Sequence, residues 1–307
     1  MSAGQLMIVT GKGGVGKTTV AAALGDAAAK AGRRALVVEI ARPGRLASVL
    51  DVEKLDRRPV EIRPGLEAVA LDEEHCLASF IEGLMPLRLL SRRLLSSSTF
   101  RILCAGVPGI LEAALLARVV RWADERSGGV SRYDLVVLDA PASGHSLPLL
   151  NAPRTLSALA SIGPLGDQLR EIEDRLRDPQ RTRGTVVAIP QDWAVAEGAE
   201  LYRALGEDLA LPLSPPLLNQ SWPKRFRPAE ERAIDAAEAE NSIDPELLFA
   251  ARLFRADAAR SRDAARVLKK AVGVRPIELP FVAGERMTLE DLGPLTQALG
   301  KLIPDAG

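Results

Sequence analysis

The stretch GKGGVGKTT at residues 11–19 follows an apolar run and leads into an alanine-rich one. No other feature narrows the possible folds as much, because strand, GxxxxGK[ST] loop and helix in succession make a phosphate cradle. The glycines let backbone N–H groups converge on the ligand, and the helix adds the positive end of its dipole. Read this way, Gly11, Gly13, Gly14, Val15 and Gly16 supply the loop and Lys17 reaches the β- and γ-phosphates of a nucleotide, while Thr18 holds Mg²⁺ and Thr19 touches the α-phosphate. One lysine is enough for that task. Lys12 is a second, and a minimal loop of this kind has no use for it.

Strand-like and helix-like passages alternate along the rest of the chain. Residues 5–10, 34–40, 133–138, 185–189, 216–218 and 275–279 are short apolar runs without alternation, the habit of strands covered on both faces in a parallel sheet. Helical patterns at 17–31, 193–205, 229–240, 245–272 and 289–302 separate them. The expected fold class is therefore α/β: a doubly wound, mostly parallel sheet with a phosphate loop. Two passages break the rhythm. Residues 73–125 hold no convincing strand and are dense in leucine, which predicts a helical insert. A shorter helical segment over about 155–181 sets Leu156, Leu159, Ile162, Leu165, Leu169, Ile172 and Leu176 at steps of three and four, one apolar face. With no repeat and no clear linker, residues 1–307 read as one domain carrying these helical elaborations.

Forty basic and forty acidic side chains give a formal net charge of zero, so no global field draws the chain to nucleic acid or to an anionic membrane. No nucleic-acid partner is expected. The first residues lack the basic and apolar regions of a signal peptide, and the longest apolar passage, 102–117, is interrupted by Pro108, Gly109 and Glu112. These features predict a cytoplasmic protein without a membrane span. Two cysteines, Cys76 and Cys104, and two histidines, His75 and His145, without a CxxC pair, do not supply a structural zinc site.

The complete string with its early lysine resembles the deviant Walker A motif of the SIMIBI ATPases. DAPASGHS at residues 139–146 narrows the likeness, for it looks like the DTAPTGHT switch of the arsenite-pump and tail-anchored-protein-targeting ATPases. The resemblance implies a dimer, of two copies or with a homologue, that binds ATP with Mg²⁺ and hydrolyses it slowly. It makes Lys12 a cation that crosses the interface to the partner's phosphates, and Gly144 a sensor of the γ-phosphate beside His145. Asp139, at the end of a strand next to the loop, is placed to orient Mg²⁺ through water. PGILE at 108–112 is similar to a turn in the insert of that branch. Asn219 in LLNQ matches an asparagine that hydrogen-bonds the adenine, and Pro280 and Phe281 in ELPFVAGE match a late loop over the base.

The departures from the branch bear on chemistry. Where it carries a DPAH-like switch with a water-orienting aspartate, this chain has EIARPGRL, with Ala41 nearest that position. Glu39 is the nearest replacement, either contacting Mg²⁺ through water or serving the strand end structurally. No CxxC follows Asn219 to hold a zinc at the dimer, and the pump's metalloid cysteines have no clear match in Cys76 and Cys104. Of the four methionines only Met85 falls in an insert, so a methionine-rich client groove is not visible. The apolar faces at 80–95 and 156–176 then cover the core or a dimer contact. The expected activity is a slow ATPase with Lys12, Lys17, Asp139 and Glu39 as its catalytic groups. Its alternatives are a nucleotide-dependent binding module with little hydrolysis and a metalloid-efflux motor. A protein client or a membrane partner is left open.

Overall fold

The computed structural model describes residues 4–40, 44–84, 106–158, 162–284 and 287–303. The elements in chain order begin with Gln5–Gly11 (β1), Lys17–Lys30 (α1), Ala35–Glu39 (β2), Arg45–Val49 (α2), Val60–Arg63 (β3), Leu66–Ala70 (β4) and Glu73–Leu84 (α3). Ile110–Asp124 (α4), the short pair Arg126–Ser127 (β5) and Val130–Ser131 (β6), Leu135–Ala142 (β7), Ser143–Ser157 (α5) and Gly163–Arg177 (α6) follow. Thr182–Ala188 (β8), Asp192–Arg203 (α7), Leu217–Ser221 (β9), Pro228–Ala239 (α8), Pro245–Val272 (α9), Ile277–Pro280 (β10) and Gly293–Leu299 (α10) are the remaining strands and α-helices of the described residues.

Eight strands form one sheet in the order β10-β9-β8-β1-β7-β2-β4-β3, parallel throughout except for β3 against β4. The expected α/β class with a mostly parallel sheet is therefore the observed one. Strand residues alternate between two faces, and both faces are apolar. Leu6, Ile8, Leu36, Val38, Val136 and Leu138 join the side chains of α3, α4, α5 and α6 in one core layer. Met7, Val9, Val37, Leu135 and Val137 lie in the other, with α1, Leu46 of α2 and Leu295 and Leu299 of α10. Covering on both sides is why these strands read as continuous apolar runs.

The structure also holds elements that the apolar runs did not reveal. β3 and β4 pair across Pro64 and Gly65, with Glu61, Arg63 and Glu67 in the pairing, so their charge hid them. A charged outer strand is a common way to blunt a sheet edge. α5 begins at Ser143, well before the anticipated helical segment, and contains Pro148 and Pro153. The two prolines remove backbone donors and mask a helix in sequence. The segment expected at about 155–181 divides into the end of α5 and the whole of α6. Within 73–125, Glu73–Leu84 and Ile110–Asp124 are α-helices, and Cys76, Phe80 and Ile81 of α3 are buried in the core. Met85, Cys104 and the rest of the 80–95 face past Leu84 lie outside the described residues, as does Ala41.

Candidate functional site

β1 is the middle of the arrangement: Gly11 stands in register with Ala142 of β7 on one side and Val187 of β8 on the other. The loops that leave these three strands therefore emerge side by side at the carboxyl edge of the sheet, where ligands of open α/β sheets bind. The phosphate loop is shaped by its glycines. Gly16, at φ 89°, precedes α1, and a Cβ there would lie 2.4 Å from Asn219 Nδ2. A Cβ on Gly11 would lie 2.3 Å from the carbonyl oxygen of Val187. Neither position has room for a side chain, whereas Gly13 and Gly14 are exposed and a Cβ on either meets nothing within 4 Å. The first turn of α1 carries no acidic residue to oppose the positive end of the helix.

A cavity of about 410 Å³ opens beside this loop, lined by Gly13, Lys17, Thr18, Glu39, Asp139, Ala142 and His145 among others. Inside it Thr18 Oγ1 donates to Asp139 Oδ2 at 2.7 Å. The second carboxylate oxygen, Asp139 Oδ1, is buried and accepts no hydrogen bond. Burial pushes the Asp139 carboxyl up to about 6, against the opposing pull of the Thr18 hydroxyl and the Lys17 charge. A buried, half-satisfied carboxylate beside a hydroxyl is an oxygen pair suited to a hard divalent cation. Lys17 Nζ donates to the carbonyl oxygen of Lys12 at 2.9 Å, which folds its side chain across the loop.

Glu39 also borders the cavity, but its carboxylate accepts the backbone N–H groups of Leu46 at 2.9 Å and Gly44 at 3.2 Å. It thus anchors the segment that enters α2. Burial raises its pKa, and those backbone donors oppose the rise. Gly144 lies in the first turn of α5 between the cavity residues Ala142 and His145. Thr19 sits one residue further along α1 than Thr18.

The three residues matched to the base lie away from that cavity. Asn219, 5% exposed near the end of β9, donates through Nδ2 to the carbonyl oxygen of Val15 at 2.9 Å and so braces the phosphate loop. Phe281, directly after Pro280, stacks on Trp222 with centroids 4.7 Å apart and planes 16° from parallel. Its backbone N–H donates to Ser221 at 3.0 Å. Trp222 had no part in the sequence expectation, although an aromatic residue three positions after Asn219 was there to be noticed. Lys12 is ion-paired with Glu197 and lies 4.7 Å over the ring centroid of Trp193, two residues of α7 that no motif had singled out. Among the described residues no cluster of three or more His, Cys, Asp or Glu side chains could hold a metal by itself, and no helix is long and apolar enough to cross a membrane.

Comparison with known proteins agrees with this geometry. ATPase BagA of Mycobacterium tuberculosis is 29% identical over 252 residues, which cover 80% of this chain and 72% of that protein. An arsenical pump-driving ATPase of Acidiphilium multivorum is 27% identical over 227 residues, 66% of this chain and 37% of the relative. ATPase ASNA1 homolog 1 of Paramecium tetraurelia is 31% identical over 157 residues, 49% of this chain and 44% of the relative. The chain thus spans less than half the length of these last two. The sequence model of the anion-transporting ATPases matches residues 4–163, just over half of the chain and the part that holds the phosphate loop, Glu39 and Asp139. A chain with this loop, sheet and match belongs to the anion-transporting ATPase family.

Proposed function

We propose that the chain is a cytoplasmic Mg²⁺-dependent ATPase, one domain over residues 1–307, that works as a dimer and uses slow hydrolysis as a conformational switch. The observation that carries the reading is the Thr18–Asp139 pair, with one carboxylate oxygen taken and the other buried without a partner beside Lys17. In this reading Thr18 and Asp139 would hold Mg²⁺, which when bound would neutralise the phosphate oxygens. The backbone of Gly13, Gly14 and Gly16 and the end of α1 cradle the phosphates, with Thr19 on the α-phosphate. Lys17 leaves the Lys12 carbonyl to meet the β- and γ-oxygens. Gly144 and His145, at the start of α5, respond to the γ-phosphate, so its loss loosens α5. Asn219 fixes the loop and offers its remaining amide oxygen toward the base, while Pro280 and Phe281, with Trp222, form the wall beside it. Lys12 serves the partner's nucleotide. A protein client or membrane partner would read the state of the dimer.

A second reading, a nucleotide-dependent binding module with little turnover, is favoured by one observation. The Glu39 carboxylate is already engaged by two backbone N–H groups, so it is poorly free to orient water in place of the carboxylate that Ala41 lacks. Calorimetry and single-turnover assays test both. Lys17→Ala is expected to lose tight ATP binding, by at least about a hundredfold, with an unchanged circular dichroism spectrum. Retained affinity would remove Lys17 from the site. Single-turnover hydrolysis by the native chain separates the switch ATPase from the binding module.

A further inference from the structure

Lys12 is held by two side chains of its own chain, Trp193 and Glu197. Trp193 and Glu197 stand one turn apart on α7, so they share a face, and β8 delivers that face beside the loop after β1. The Lys12 ammonium lies 4.7 Å over the Trp193 ring and pairs with Glu197 Oε2. The other oxygen, Glu197 Oε1, accepts from Ser143 Oγ at 2.6 Å. Ser143 opens α5 and follows Ala142, which is in register with Gly11. One carboxylate therefore joins the loop after β1 to the segment after β7. The hydrogen bonds from Lys12 and Ser143 hold the Glu197 carboxyl below its ordinary range. Both partners of the ion pair are partly exposed, at 41% and 31%, so the pair alone biases the lysine modestly. The cation over the indole adds to it, and the two together favour this placement by about tenfold.

We propose that Glu197 is a positioning residue that keeps Lys12 on its own subunit, against Trp193, and gives it up to the partner's nucleotide when the dimer closes. The inference rests on the proposed dimeric ATPase. In the proposal the two placements are alternatives: Lys12 leaves Glu197 and Trp193 when it reaches a phosphate across the interface. Ser143 makes the exchange responsive to nucleotide, because the γ-phosphate acts on Gly144 and His145, its immediate neighbours. A shift there pulls on Glu197 Oε1 and loosens the carboxylate that holds the lysine.

The test uses the full chain and reads Trp193 fluorescence as the difference between the native protein and its Trp193→Phe variant. Without nucleotide, Glu197→Gln and Lys12→Ala should change Trp193 emission and acrylamide quenching in the same direction. Gln keeps the shape of Glu197 and its bond from Ser143, and Lys12→Ala approaches the contact from the other end, so a folding defect in one does not decide the matter. Adding a non-hydrolysable ATP analogue with Mg²⁺ should shift the native signal the same way and leave that of Lys12→Ala unmoved. In sedimentation, Glu197→Gln should lower the concentration needed for ATP-dependent dimerisation by about three- to tenfold, and the Lys12→Ala, Glu197→Gln double variant should lose that gain. A gain that survives without Lys12, or an analogue that binds without moving Trp193, overturns the proposal. If calorimetry finds no ATP binding by the native chain, the ATPase reading falls and takes the release step with it. The nucleotide-free quenching then decides alone whether Glu197 places Lys12.

Discussion

Asp139 is pulled two ways, because the sheet buries it while the chemistry proposed for it needs a charge. In the folded chain its carboxyl is raised from 3.8 to about 6, chiefly by burial. Between those values the native state binds a proton that the unfolded state has released, so stability falls as pH rises through that window and levels off above it. The contribution is roughly 3 kcal/mol at full extent, and Glu39, also raised by burial, adds with the same sign. Denaturant titrations of the nucleotide-free protein from pH 4 to 7 should show Asp139→Asn gaining on the native chain as pH rises, with a constant difference above about pH 6. A cation at Thr18 and Asp139 competes with that proton, so affinity for Mg²⁺ with ATP should weaken below about pH 6 in the native chain and lose this slope in Asp139→Asn. The two residues of this pair were legible in sequence because a motif and a strand end place them. Glu197 and Trp193 were not, because only the adjacency of β8 to β1 brings them to Lys12.

Asp26 of α1 is 0% exposed and joins elements distant in the chain. It meets Arg63 of β3 at 2.6 Å, Thr296 of α10 at 2.9 Å and Lys30, one turn along α1, at 2.8 Å. Asp26→Ala strands a buried hydroxyl and releases the outer strand, which should cost about 2–4 kcal/mol. Asp26→Asn, which can still bond Thr296, should cost less. Equilibrium unfolding in urea measures both, and equal losses would show that the charge contributes nothing. Element by element, sequence served best where a pattern was uninterrupted. α9 was expected over 245–272 and spans Pro245–Val272, because its caps are explicit: Asp244 accepts from the first turn and Gly273 closes the last. It served least where local signals and tertiary setting conflict. β3 is drawn into the sheet by β4 despite its charge, and α5 stays helical through two prolines. Packing against α4 and α6 compensates for the missing donors there.

For the molecule as a whole, the proposed dimer makes turnover a property of two chains. Lys12→Ala should bind ATP without hydrolysing it, and Lys17→Ala should bind none. Mixed, they form pairs whose one occupied site receives an intact Lys12, so up to about half of the activity per occupied site should return in a phosphate-release assay. Mixed dimers that stay inactive would place Lys12 outside the partner's site. Neither the pair nor its client could be read from the pattern of apolar runs, which records what is buried within one chain and not what is buried between two. The order of strands carries a different consequence. The phosphate loop follows the first strand, yet that strand lies between Leu135–Ala142 and Thr182–Ala188, and its loop is braced by Asn219. A ribosome releasing the chain from its amino end exposes the motif early and supplies its neighbours late. Until residue 219 has emerged, the growing polypeptide carries the sequence for gripping a nucleotide without the walls that make the grip.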